Sequence, residues 1–275
     1  MILQAFPPPL ELLPFVSGYL YGHSNFSDSQ LKPTIPRGVP ALMVIMGENK
    51  GGQLEIIKPK LANPLKNGVF LFGQATQTWW IKVSICRAYM IVLKPAAIQI
   101  LLGESAAVFT DSVVQLDDLI PECQFLAEQL TAAKSQIGQL SVLDAFLKRL
   151  FRNSIIKPNE ADGAVRFIFQ THGQVKVSEL SIQERISVRT LTRKFTEQIG
   201  MSPKQYARII RFRAMMYHLL TTPKASWLDV TYQFGYYDQS HFIKDFQHFT
   251  GQPPSQYLAL DQKFDDLFIK ALSTI

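Results

Sequence analysis

Two regimes of hydrophobic spacing divide the chain. Up to about residue 115 the apolar positions come in short runs, at 41–46, 54–57, 69–72, 80–85 and 89–93. Lys50-Gly51-Gly52, Asn63-Pro64 and Lys66-Asn67-Gly68 punctuate them. Runs this short between turn formers predict strands of an antiparallel sheet or barrel-like sandwich. From Leu116 the spacing becomes helical, over 116–130 and 140–151, with Leu140, Leu143, Leu147 and Leu150 along one face. That stripe either packs on the preceding domain or pairs with its copy in a dimer. The segment 155–161, with Pro158, predicts a boundary before a second, helical domain.

The second domain contains a repeat. Phe195, Gly200, Pro203, Gln205 and Tyr206 recur as Phe246, Gly251, Pro254, Gln256 and Tyr257, each 51 residues later. Upstream, Leu191 matches Phe242, Arg193 matches Lys244 and Ser187 matches Asp238. In the first copy Ser187 caps a helix whose apolar stripe is Val188, Leu191, Phe195 and Ile199, and Gly200 ends it. Ser202-Pro203-Lys204-Gln205 opens the next helix. In the second copy Asp238 is the cap, Phe242, Phe246 and Phe249 form the stripe, and Gly251 stops it. Shorter helices are predicted at 177–184 and 226–234, the latter opened by a Ser226/Asp229 capping box. Short helix, tight turn, second helix is the helix-turn-helix pattern. A helix from Pro203 to about Leu220 joins the two copies and spans roughly 27 Å at 1.5 Å per residue. Successive major-groove faces of DNA lie about 34 Å apart, so such a spacer suits two recognition helices on one side of a duplex.

Charge sharpens the picture. The formal net charge of +6 is unevenly spread: residues 185–213 hold eight Lys and Arg against Glu197 alone. A local field of that sign favours a polyanion. On the first recognition helix the apolar stripe leaves Arg189, Thr190, Thr192, Arg193, Lys194 and Thr196 for the other faces; on the second it leaves Gln239, Ser240, His241, Ile243 and Lys244. Arginine can bond two acceptors of guanine, glutamine can pair with adenine, and lysine neutralises phosphate. Ile243 outside the core suits a thymine methyl.

Residues 177–258 resemble the DNA-binding domain of the AraC/XylS family of bacterial transcription regulators. The stretch DVTYQFGYYDQSHFIKDFQHFTGQPPSQY carries the resemblance most fully, and ISVRTLTRKFTEQIGMSPKQYARIIRFRAM follows the same pattern. The resemblance implies base-contacting positions at Arg189, Thr192 and Arg193, and at Gln239, Ser240, His241 and Lys244. Arg185 stands in the inter-helix turn where that family prefers glycine, which predicts a strained or reshaped turn. Ser181 and Thr231 replace the usual alanine at the helix crossing. LKPTIPRGVPALMVIMG, FLFGQATQTWWI and IVLKPAAIQILLG resemble the N-terminal sensor domains of one branch of the family.

The remaining chemistry is sparse. His23 is the only histidine in the first 171 residues, so no cupin-like metal site is expected. No nucleophile elbow, P-loop or dinucleotide glycine motif occurs. His241 and His248 lack a third ligand, and His172 reads as a partner of a helix C-terminus. Cys86 and Cys123 read as buried structural thiols, and Trp79-Trp80 as core, with a pocket wall as the alternative. No apolar run reaches the ~20 residues of a membrane span.

The expectation is an α+β multidomain protein of the cytoplasm. Residues 1–115 form an antiparallel β-rich sensor or assembly domain, 116–155 a helical connector that could dimerise, 160–260 a double helix-turn-helix domain and 261–275 a tail. The function expected is a sequence-specific transcription regulator without catalytic residues, metal or cofactor. Its partners are double-stranded DNA, a small-molecule effector, RNA polymerase and a second copy of the chain. The alternatives are a ligand-independent regulator whose N-terminal half only assembles, and an enzyme fused to a DNA-targeting module.

Overall fold

The structure, a computed structural model, describes residues 2–24, 31–46, 54–58, 64–83, 86–117, 119–154, 160–222 and 225–260. The expected tail, most of the expected linker and the Lys50-Gly51-Gly52 turn lie outside the described residues.

An antiparallel sheet region is followed by a helical region, the fold class expected from the spacing. The strands are β1 (Ile2–Phe6), β2 (Val16–Ser24), β3 (Lys32–Thr34), β4 (Ala41–Met46), β5 (Leu54–Lys58), β6 (Gly68–Phe72), β7 (Trp79–Val83), β8 (Cys86–Leu93) and β9 (Val113–Gln115). They form a six-stranded sheet in the order β1-β2-β8-β4-β6-β9 and a three-stranded sheet in the order β3-β7-β5. Every pairing is antiparallel. The large sheet is covered on both faces, which is why β4 reads as an unbroken apolar run and not as an alternation. Leu42, Val44 and Met46 turn to a core shared with the helices, whereas Ile45 turns to Leu54, Ile56, Trp79 and Ile81 of the small sheet. Pro33 is tolerated because β3 is an edge strand.

The helices of this half are α1 (Ala97–Leu102), α2 (Leu126–Ala132) and α3 (Gln136–Leu150). The continuous helix expected over 116–130 is not formed. Pro121–Cys123 is a single 3₁₀ turn, and α2 begins only at Leu126. Asp117 instead takes a bond from the backbone of Val69 and another from Gln115 Nε2, fixing this stretch as a connection to β6. Helix α3 has the expected stripe, and the chain itself buries it: Leu143, Phe146 and Leu147 lie in the core of the large sheet, while Tyr19 Oη donates to Asp144 at 2.7 Å. Cys123 is buried there too, and burial pushes its thiol up to about 12. It is therefore protonated and inert at neutral pH.

The second half consists of α4 (Glu160–Gln170), α5 (Val177–Gln183), α6 (Val188–Ile199), α7 (Pro203–Thr221), α8 (Trp227–Gln233), α9 (Gln239–Thr250) and α10 (Pro254–Leu258). His172 lies beyond the end of α4 with a left-handed backbone, φ 50, so it closes the helix through its backbone and not as a last-turn side chain. The two halves meet along α7. Tyr206, fully buried, donates its hydroxyl to Gly38 O at 2.7 Å, and Arg213 Nη1 donates to Arg37 O at 3.2 Å. Ile35 and Ala96 of the first half join the hydrophobic core of the second. Gly38 has φ +70, a left-handed backbone that favours glycine, and a Cβ there would press on the Ile210 side chain.

Candidate nucleic-acid interface

The repeat is real in three dimensions and longer than the sequence motif. Ser187 caps α6 by accepting from Thr190 N, and Asp238 caps α9 by accepting from His241 N. Gly200 and Gly251 end these helices in the left-handed conformation, and Ser202 caps α7. Leu191, Phe195 and Ile199 are buried in α6, as are Phe242, Phe246 and Phe249 in α9. Two details differ from expectation. Val188 is 45% exposed and lies outside the buried stripe. Ser226 makes no side-chain cap bond, so the expected capping box is absent; Thr231 Oγ1 bonds Trp227 O within the same helix.

The helix before each motif also repeats. Lys194 on α6 reaches back to Glu160 on α4, Nζ to Oε2 at 2.7 Å. Positions 51 residues on are Asp245 and Arg211, which form the same link between α9 and α7 with the charges exchanged, at 2.9 Å. Arg208 adds a second bond to Asp245 at 2.6 Å. The structural unit is thus three helices, α4-α5-α6 and α7-α8-α9. Burial pushes the Asp245 carboxyl up, but the Arg208 and Arg211 guanidiniums outweigh that and hold it below the ordinary aspartate value. The Lys194 ammonium likewise holds Glu160 low.

These links change the charge picture. Of the eight cations between 185 and 213, Lys194, Arg208 and Arg211 are in ion pairs and Arg213 is engaged with Arg37 O and the Phe169 ring. Arg185, Arg189, Arg193 and Lys204 are exposed. Arg193 makes only a loose contact with Glu197, 3.6 Å away on the next turn, and its side chain stays 69% exposed. Thr190 and Thr192 are half-buried beside them, and Thr190 Oγ1 lies 2.9 Å from Ser187 Oγ. On α9, Gln239, Ser240, His241 and Lys244 are exposed together with Ile243, and His241 leans edge-on against Tyr236. The sequence-derived residues therefore gather on the outer faces of two equivalent helices, Lys194 excepted. Asp245 escaped the sequence reading; its only trace was an acid opposite Lys194 in the repeat.

The inter-helix turns share a left-handed residue just past the first helix, although the second turn is one residue longer before its cap. Arg185 has φ 55 and Gly235 has φ 67. The first turn thus keeps the glycine shape and places an arginine in it, a strained conformation for a residue with a Cβ.

Similarity to known proteins follows the same division. A helix-turn-helix domain model matches residues 180–259, and a model of a domain of unknown function matches residues 4–115. No curated protein matches the chain in sequence. Among solved structures, ToxT from Vibrio cholerae is similar over 91% of this chain and 98% of its own, at 14% identity and a TM-score of 0.48. A structure of unsaturated fatty acid bound wild-type ToxT is similar over 87% of this chain and 94% of its own, at 15% identity and a TM-score of 0.47. Residues 180–259 thus form a helix-turn-helix domain of the AraC type.

Proposed function

We propose that the protein lays α6 and α9 into successive major grooves on one face of duplex DNA and so recognises a specific operator. The observation that carries this reading is the pair of equivalent, outward-facing helices joined by the 19-residue α7. At 1.5 Å per residue α7 spans roughly 28 Å, close to the ~34 Å groove repeat. Arg189 and Arg193 on α6 and Gln239 on α9 read base edges, with Thr190, Thr192, Ser240 and His241 beside them. Lys244 and Lys204 neutralise phosphates and set the register. Lys194, held by Glu160, is largely neutralised and makes no base or phosphate contact of its own.

The N-terminal half senses a small-molecule effector and passes its state to the helices through the contacts on α7. The protein performs no reaction, works in the cytoplasm and takes RNA polymerase and a second copy of itself as partners. Selection from randomised duplexes tests base reading. Arg193→Ala is expected to relax preference at one guanine, costing about 1–3 kcal/mol at that position. Lys204→Ala leaves the preferred sequence intact and lowers the salt slope by about one ion. An unchanged motif from Arg193→Ala would remove the reading role from that residue.

A further inference from the structure

Both recognition helices end against the first half of the chain. Ser105 Oγ donates to Glu197 O at 3.4 Å and Thr110 Oγ1 to Gly200 O at 2.7 Å, at the end of α6. At the end of α9, Thr78 N donates to Phe249 O at 2.7 Å. The two segments responsible, 73–80 and 105–112, are joined through Asp111. Its carboxylate accepts from Thr76 N at 2.7 Å and from Thr76 Oγ1, and its own N–H donates to Gln74 O. One joined pair of loops therefore contacts equivalent ends of both recognition helices.

Between the 76–80 segment and the last turn of α9 lies a cleft of about 630 Å³. Small-molecule sites typically measure ~300–1,000 Å³ and favour domain boundaries. The cavity between the two sheets, by contrast, has about 80 Å³. Trp80, Asp111, His248 and Phe249 are among its lining residues; Phe249 is almost fully buried, so half-buried Trp80 offers the larger aromatic surface. No lysine or arginine is among its described lining residues. Thr78, 7% exposed, lines it with a buried Oγ1 that has no hydrogen-bond partner among the described residues. A buried hydroxyl without a partner is costly.

We propose that this cleft is a ligand site for a small planar organic cation of the amidine, guanidine or arylamine class. Each Asp111 oxygen accepts one hydrogen bond from Thr76 and keeps further lone pairs for the paired N–H groups of such a cation. An indole face is the aromatic surface that best attracts a positive charge. An anion would meet Asp111 with no compensating cation. Because the walls come from the 76–80 segment and from α9, a bound ligand touches the sensing half and the second recognition helix at once. As the place where an effector acts, the site rests on the function proposed above; its binding chemistry does not.

Calorimetric titration of the full-length protein with benzamidine, benzamide and benzoate tests the site, since the three share size and shape and differ in charge. Benzamidine is expected to bind about tenfold or more tighter than benzamide, with no saturable binding of benzoate. Asp111→Asn, which retains an oxygen for Thr76 N–H, should abolish the preference for benzamidine. Trp80→Leu, outside the Asp111 bonds, should weaken benzamidine and benzamide together. Benzoate binding as tightly as benzamidine, no binding of any of the three, or benzamidine binding that survives both substitutions would each overturn the proposal. DNA affinity is measured separately, so a chain that binds DNA but not benzamidine loses this site alone.

Discussion

Replacing Asp245 by asparagine should weaken the helical half more than any single loss on its outer faces. Asp245 is 6% exposed in its side chain and bonds two guanidiniums, Arg208 at 2.6 Å and Arg211 at 2.9 Å. Removing one partner of a buried pair costs about 3–5 kcal/mol, because the remaining charge stays desolvated. Here Arg211 is 14% exposed and Arg208 34%, so Arg208 regains part of its hydration. The expected loss is accordingly about 2–4 kcal/mol, on the order of a 10 °C fall in melting temperature. The repeat supplies an internal comparison. Glu160→Gln breaks the equivalent link to Lys194, but both side chains there are about 30% exposed, and a much smaller fall in melting temperature is expected. The carboxyl of Asp245 is held below its ordinary 3.8. A depressed folded-state pKa means the stabilisation is complete above the unfolded value and fades as pH falls through the folded one. Calorimetric melts of the three proteins at neutral pH and near pH 3 measure both effects. Equal losses for the two variants, or a gap between wild type and Asp245→Asn that widens in acid, would refute the reasoning.

Two further substitutions are informative. Arg185→Gly relieves a left-handed arginine, φ 55, worth about 1–2 kcal/mol, against about 0.5–1 kcal/mol of added chain entropy. A small net rise in melting temperature is expected, and a fall would show that the arginine side chain compensates for its backbone. Leu147→Asp places a charge at a position with no exposure in the core of the large sheet. Loss of the folded N-terminal half, by circular dichroism and light scattering, is expected; a soluble variant with an unchanged melt would show that the stripe is not core.

What the sequence disclosed was local. Caps at Ser187, Ser202 and Asp238 and left-handed glycines at 200 and 251 depend on neighbours within one turn, so periodicity and residue type found them. The outward faces of α6 and α9 followed from the buried stripes. Long-range pairing stayed hidden. Arg208 and Arg211 look like part of a basic surface until Asp245, 37 and 34 residues later, folds onto them. The same applies to β1 and β2: Gly18 and Gly22 interrupt the apolar pattern of β2, which becomes a strand by pairing with β8. The misplaced helix at 116–130 came from reading leucine spacing across Pro121, while the bond from the Val69 backbone to Asp117 decides that segment.

The central claim is that one chain engages DNA with two equivalent helices. Hydroxyl-radical footprinting of the full-length protein on its selected operator, with a single copy bound per duplex, addresses it most directly. The account predicts two protected patches on one face, separated by about one helical turn, the second lost selectively on replacing Gln239 and Lys244 by alanine. A single protected patch per bound chain, unaltered by those α9 substitutions, would contradict it.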